Sequence, residues 1–194
     1  MKNPRIALLT GIICISIFPI LVKWTPVSGL SSAFYRMAIA TALALPYVLL
    51  RKKLEKPDTK TLWVILLCGI CFGSDIAVWN ISIQKSTATQ ATLLANLAPV
   101  WVGLAMYLFM PDKPTRNFWI GAFFAILGMV ILVGFDTFYN LSFDIGFGFA
   151  MLSGLFYAAY ILMSKYVLNQ MAPISFMVYS MAVSSVFLGI ICLL

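Results

Sequence analysis

Two oppositely charged side chains lie inside long apolar runs of this sequence. Arg36 is about six residues from the end of its run and Asp75 about eight from the end of its own, roughly 9 and 12 Å deep at the helical rise per residue. Because a charge in an apolar medium is costly without a partner, we predict a structural ion pair between them. Two alternatives stay open. Arg36 reaches the surface while Asp75 contacts water alone, or Asp75 takes up and releases a proton as a lone carboxylate.

Uncharged polar and aromatic side chains recur at helical spacing in several runs. Thr92 and Asn96 are one turn apart in one run, and Tyr157 and Tyr160 share a face of another. Rings can cover the apolar part of a small solute while amides and hydroxyls bind its polar ends, but the same side chains also join helices by hydrogen bonds. The candidate cavity residues are Ser16, Asp75, Trp79, Asn80, Thr92, Asn96, Tyr157 and Tyr160.

The sequence lacks the residue sets that most enzymes need. It contains no histidine, which removes histidine-based zinc sites and the nucleophile systems that use a histidine base. No G-x-x-x-x-G-K-[ST] segment is present to bind nucleotide phosphates. An intramembrane aspartyl protease needs two facing aspartates, and Asp75 is the only deeply placed acid. We therefore predict no catalytic residues, no metal, no cofactor and no enzymatic activity.

The composition predicts that these apolar runs are surrounded by lipid rather than by water. Hydrophobic residues make up 62% of the 194 positions and charged residues 10%, against about 25% charged in an ordinary soluble domain. A water-soluble core cannot bury so much apolar surface, so we predict an all-α, polytopic transmembrane helix bundle. A spanning helix needs about 20 apolar residues, and seven runs have that length. They are Ile6–Trp24, Leu30–Leu50, Leu62–Ile83, Ala88–Met110, Phe118–Phe135, Ile145–Leu168 and Ile174–Leu194.

The positive charge lies mainly in the gaps between the runs. The net charge of +7 comes from 13 Lys and Arg against 6 Asp and Glu, but the basic residues form no stripe on one face, which argues against nucleic-acid binding. By the positive-inside rule, the side that carries most of them is cytoplasmic. We therefore predict a multi-pass protein of the plasma or inner membrane with a cytoplasmic N-terminus. The basic residues of that side are Lys2, Arg5, Arg51, Lys52, Lys53, Lys56, Lys60, Lys113 and Arg116.

An internal repeat relates the second run to the seventh. Four residues recur at a constant offset of 144 positions: Ser31, Tyr35, Met37 and Ala38 correspond to Ser175, Tyr179, Met181 and Ala182. Because five runs is an odd number, a second copy that begins at the sixth run must enter the membrane from the opposite side. Inverted repeats of this kind are found in many secondary transporters.

Three groups of residues carry a family resemblance. They are Phe34-Tyr35-Arg36 in the second run, Ala91, Leu94, Leu97 and Pro99 in the fourth, and Gly121 and Gly128 in the fifth. With these features the chain resembles the EamA-type members of the drug/metabolite transporter (DMT) superfamily, which build ten helices from two inverted five-helix repeats. The resemblance implies that residues 1–139 form a complete first repeat and residues 140–194 begin a truncated second one. Seven of the ten expected helices then lie in this sequence.

The repeat and the resemblance together predict a secondary transporter. We expect an exporter of a small metabolite such as an amino acid, with a small-molecule substrate and the lipid bilayer as its partners. The alternative is an accessory or structural membrane subunit without transport activity of its own. In the fifth run, Gly121, Ala125 and Gly128 are spaced for close helix approach, which fits either packing within the chain or a homodimer.

Overall fold

A computed structural model of the chain describes residues 4–24, 26–51, 53–133 and 144–194. Every regular element in these ranges is an α-helix. In chain order the helices are α1 (Pro4–Trp24), α2 (Gly29–Leu50), α3 (Thr59–Lys85), α4 (Ala88–Ala95), α5 (Ala98–Phe109), α6 (Arg116–Val133), α7 (Ile145–Leu168) and α8 (Pro173–Leu193).

The helices correspond to the predicted apolar runs and confirm the polytopic transmembrane bundle. The segment formed by α4 and α5 together, and each of α2, α3, α7 and α8, is long and apolar enough to cross a membrane, while α1 and α6 contain shorter apolar stretches. The final residues of the predicted run Phe118–Phe135 lie outside the described ranges. Large apolar side chains on α1 and α6 are mostly exposed, as expected of helices that face lipid.

The fourth predicted run is a broken helix rather than a continuous one. Helix α4 ends at Ala95, Asn96 and Leu97 form a turn, and α5 begins at Ala98. Pro99, in the first turn of α5, has no N–H and cannot donate to the carbonyl of Ala95 four residues earlier. The missing hydrogen bond weakens the helix at this point, although Pro46 does not interrupt α2.

Helix α3 is the centre of the described structure. It packs against α2, α4, α7 and α8, and its most extensive interface is with α7. One cluster of buried side chains joins α3 to α2 and α8, and a second joins it to α7 and α8. The first contains Ala33, Met37, Ile76, Ala77 and Leu188, and the second contains Ile65, Cys68, Val167, Met171 and Phe176.

Contacts near the two ends of α3 establish the directions of α7 and α8 relative to α3. Near its last residue, the Ser82 hydroxyl donates to the carbonyl of Gly146 at the start of α7 (2.8 Å). Before its first residue, a Glu55 carboxylate oxygen accepts from the N–H of Ala172 at the start of α8 (2.6 Å). Helix α7 is therefore antiparallel to α3, and α8 is parallel to it.

Helix α2 begins beside the Lys85 end of α3. The amide of Asn80 donates to the carbonyl of Gly29 (3.2 Å), and the Gln84 side-chain oxygen accepts from the N–H of the same glycine (2.8 Å). Since α8 begins at the opposite end of α3, α2 and α8 run in opposite directions.

Small residues allow close helix approach in α7 but not in α6. A Cβ placed on Gly146 would lie 2.6 Å from the Cβ of Ser86 and 3.0 Å from its backbone nitrogen, so α7 meets the end of α3 at that glycine. A Cβ on Gly121 or Gly128 would meet no described atom within 4 Å. In the described part of the chain, those two glycines of α6 do not serve close packing, and a homodimer through this helix stays a prediction.

Candidate functional site

An open groove surrounds the break between α4 and α5. Its first part, of about 520 Å³, lies between α1, α3, α4 and α6, and its second part, of about 400 Å³, lies between α4, α5 and α6. Asn96 and Met129 line both parts, so the two meet at the helix break, and we call them together the break groove. Its polar lining residues are Ser16, Trp79, Thr89, Thr92 and Asn96.

The geometry of α4 places the polar side chains of the groove. The hydroxyl of Thr87 caps the helix by accepting from the N–H of Gln90 (3.0 Å). At the other end, Asn96 terminates the helix, and its N–H donates to the carbonyl of Thr92 (3.0 Å). The side chains of Thr92 and Asn96 make no hydrogen bond to another described residue. Both are therefore available to a solute.

An aromatic stack forms the wall of the groove between α1 and α3. Phe18 stacks on Trp79 with ring centroids 5.9 Å apart, and the Arg36 guanidinium carbon lies 4.1 Å from the centroid of Phe18. The indole N–H of Trp79 is buried and has no acceptor among the described residues. An unpaired buried donor costs about 1–3 kcal/mol.

Lys23 lies beside the groove where α3 ends. Its Nζ donates to the carbonyls of Ile83 (3.0 Å) and Ser86 (2.5 Å). Carbonyls in the last turn of a helix have no intrahelical donor, and the helix dipole favours a cation near them. The ammonium therefore joins α1 to the segment that leads from α3 into α4.

Asp75 lies in a separate cluster between α3 and α7. Its carboxylate accepts from the hydroxyl of Ser153 on α7 at 2.5 Å. On the same helix, the ring of Tyr160 stacks with Tyr157 (6.2 Å) and with Phe72 of α3 (4.8 Å). The structure thus separates two groups that the sequence analysis had combined: Asp75, Tyr157 and Tyr160 belong to this cluster, and Ser16, Trp79, Thr92 and Asn96 to the break groove.

The predicted ion pair between Arg36 and Asp75 is not a direct contact within the described ranges. Arg36 lies over the Phe18 ring, and Asp75 is hydrogen-bonded to Ser153. The sequence analysis considered an opposite charge or water as the partner of Asp75, whereas a hydroxyl from α7 makes the contact.

The remaining predicted cavity residue, Asn80, has a structural position. Its side chain is fully buried and binds the Gly29 carbonyl, as described above. Together with Gln84, whose side-chain nitrogen donates to the carbonyl of Val27 (2.7 Å), it fixes the link between α1 and α2. Asn80 therefore does not line the break groove.

Sequence reasoning missed the polar lining residue Thr89 and the apolar lining residues, of which Met129 lines both parts. Thr89 precedes the stripe of Thr92 and Asn96 by one turn and could have been added to it from its spacing. Met129 is one apolar residue among many in α6, and nothing in the sequence distinguishes it. Among the described residues, no group of three His, Cys, Asp or Glu side chains could hold a metal ion.

Comparison with known proteins places most of this chain within one family model. Residues 4–134 match the model described as the EamA-like transporter family. Over 161 residues, or 80% of the chain, the sequence is 26% identical to an uncharacterized transporter of Archaeoglobus fulgidus. The match covers 54% of that protein, so the chain spans about half the length of this relative. No solved structure matches the chain.

Proposed function

The chain belongs to the EamA-like transporter family, and from that membership we propose that it forms part of a secondary transporter that exports a small metabolite such as an amino acid. The break groove carries this proposal. It combines amide, hydroxyl and indole groups with apolar side chains at one point inside a bundle of apolar helices, which is the composition expected of a site for a small amphipathic solute.

The broken helix supports a solute site at this position. Irregular backbone at membrane depth is tolerated where it is buried in protein or lines a cavity. The carbonyl of Ala95 has lost Pro99 as a hydrogen-bond donor, and both residues line the break groove with Asn96. Discontinuous helices supply backbone groups to substrate sites in many secondary transporters.

The directions of α2 and α8 support a pair of inverted repeats. These helices carry the recurring residues of the sequence, run in opposite directions and pack against each other and α3. We assign residues 1–139 to the first repeat and 140–194 to the start of the second. The boundary between them lies outside the described residues. Rocking of such halves about a central site would expose the groove to the two sides in turn.

The basic side chains support an orientation with the N-terminus in the cytoplasm of the cell. Arg51, Lys53 and Lys56 are exposed around the link between α2 and α3, and Arg116 is exposed where α6 begins. If successive spanning segments run antiparallel, the link between α2 and α3 and the link between α5 and α6 both lie at the Thr59 end of α3. The positive-inside rule then makes that end cytoplasmic. Lys2 and Lys52 lie outside the described residues.

Counterflow in proteoliposomes tests the proposed function. The full-length protein is expected to exchange at least one solute from a panel of labelled amino acids and other small metabolites. We expect Asn96→Ala to lower that exchange about tenfold, which corresponds to the loss of one hydrogen bond to the solute. The matched control is Asn117→Ala, an exposed amide outside the groove, which should retain the wild-type rate.

Two results would contradict the proposal. Equal exchange rates for Asn96→Ala and Asn117→Ala would show that the solute does not bind in the break groove. A folded full-length protein that exchanges no solute of the panel would favour an accessory or structural membrane subunit.

A further inference from the structure

Among the described residues, the lining of the break groove contains no charged side chain. None of the residues that line its two parts is Asp, Glu, Lys or Arg. Its polar groups are the hydroxyls of Ser16, Thr89 and Thr92, the amide of Asn96 and the indole of Trp79. These groups can hydrogen-bond a solute, but none can neutralise a net charge on it.

Three charged side chains of the helices around the groove make contacts of their own. The Lys23 ammonium binds backbone carbonyls at the end of α3, the Arg36 guanidinium lies over the Phe18 ring, and the Asp75 carboxylate accepts from Ser153. A charged solute in the groove would have to break one of these contacts to gain a counter-charge from any of the three groups.

We propose that the break groove selects solutes of zero net charge, uncharged or zwitterionic, and that Asn96 is a principal determinant of this selectivity. The inference rests on the proposed transport function. A net charge moved from water into a groove without a counter-charge loses hydration that the walls do not replace. A net-neutral amphipathic solute can place its polar ends on Asn96 and Thr92, and its apolar part against Pro19 and Met129.

The first experiment compares amino acids of different charge at neutral pH. Leucine, glutamine and phenylalanine are the net-neutral probes, and lysine and glutamate are the charged ones. Counterflow into proteoliposomes with the full-length protein measures transport, and calorimetric titration in detergent measures binding separately. We expect at least one neutral probe to bind and exchange about tenfold or more better than either charged probe, because an uncompensated charge at membrane depth costs a few kcal/mol.

The second experiment introduces a charge at the proposed determinant. Asn96→Asp, nearly the same size as the native side chain, should raise the ratio of lysine to neutral-probe exchange about tenfold by supplying a counter-charge. Asn96→Lys should raise the ratio for glutamate instead. Because the two variants are expected to act in opposite directions, either one that folds tests the inference. Asn117→Asp, outside the groove, controls for a general effect of surface charge and should leave both ratios unchanged.

Each outcome of these two experiments either supports or contradicts the proposed charge selectivity. Exchange of lysine or glutamate at rates equal to the neutral probes would overturn the charge selectivity while leaving transport intact, as would unchanged ratios in a folded Asn96→Asp variant. Selective binding of a neutral probe without any exchange would support the selectivity and count against the transport function. Absence of both binding and exchange for all neutral probes would overturn the inference.

Discussion

The carboxylate of Asp75 shows how one buried charge is held at the level of a single residue. Ser153 is fully buried, and its hydroxyl donates to that carboxylate across the interface of α3 and α7. Hydrogen bonds to charged groups contribute more than neutral ones, about 1.5–3 kcal/mol. One hydroxyl therefore accounts for a substantial part of the stability of this polar contact.

We expect Ser153→Ala to lower the free energy of unfolding by about 1.5–3 kcal/mol, because the carboxylate would stay buried without its donor. Thermal unfolding of the purified protein in detergent measures the change as a lower Tm. Ser185→Ala is the matched control, since that half-buried hydroxyl on α8 makes no hydrogen bond within the described ranges, and its change should stay within about 0.5 kcal/mol. Equal Tm values for the two variants would contradict the role of Ser153.

The sequence indicated which residues are unusual but not which partners they have. Arg36 and Asp75 were recognisable as buried charges from their position in apolar runs. The hydroxyl of Ser153 and the ring of Phe18 could not be identified as their contacts, because helical spacing orders residues within one helix and says nothing about the angle at which another helix meets it. For the same reason the sequence analysis counted Asn80, which is buried and bonded to the Gly29 carbonyl, among the cavity residues.

At the scale of elements, the close approach of α7 to the end of α3 depends on a glycine. A side chain at Gly146 would collide with Ser86, including its backbone nitrogen, which cannot move aside as the end of a flexible side chain can. The same contact includes the hydrogen bond from Ser82 to the Gly146 carbonyl. Separating the helices here would therefore lose packing and a buried hydrogen bond together.

We expect Gly146→Ala to destabilise the fold by about 1–3 kcal/mol through overpacking. Gly148→Ala is the control on the same helix, because a Cβ there meets nothing within 4 Å and alanine is the better helix former by about 0.5–1 kcal/mol. The Tm should fall for the first variant and stay level or rise for the second. A Tm for Gly146→Ala at or above that of Gly148→Ala would mean that α7 and α3 are not closely packed at Gly146.

Apolar length was a reliable guide to the elements, whereas the break in the fourth run was not predicted. The predicted runs Leu30–Leu50 and Ile145–Leu168 match α2 and α7 within one residue at each end. The length of an apolar run and the polar residues that flank it can be read directly from the sequence. Pro46 lies inside a continuous helix and Pro99 follows a break. The two prolines have the same local chemistry, so only the surrounding packing distinguishes them.

At the scale of the whole molecule, Lys23 connects α1 to the segment between α3 and α4. These two parts have to move apart if the groove is to open beside Lys23. Lys23 joins α1 to the end of α3 with hydrogen bonds to the backbone carbonyls of Ile83, Gln84 and Ser86, next to the lining residues of α4. In the proposed orientation this end faces away from the cytoplasm. We expect this contact to act as a latch, that is, to hinder access to the break groove from its outer end.

We expect Lys23→Met to increase access to the groove from the outside by about fivefold, the effect of losing roughly 1 kcal/mol of latch energy. The measurement is the rate at which a membrane-impermeant maleimide labels Thr92→Cys in a background without the four native cysteines. Lys85→Met removes the same charge from an exposed neighbouring position and should leave the rate unchanged. If both lysine variants alter labelling equally, the effect is one of surface charge and Lys23 is no latch.

The central claim is that a transported solute enters the groove at the broken helix, and solute protection tests it most directly. In the same cysteine-free background, alkylation of Thr92→Cys is followed with and without a solute that the full-length protein exchanges. The account predicts that this solute slows alkylation at residue 92, while Thr115→Cys, exposed in the link before α6, reacts at the same rate in both conditions. Alkylation at residue 92 that is unaffected by saturating solute, in protein that still exchanges it, would contradict the account.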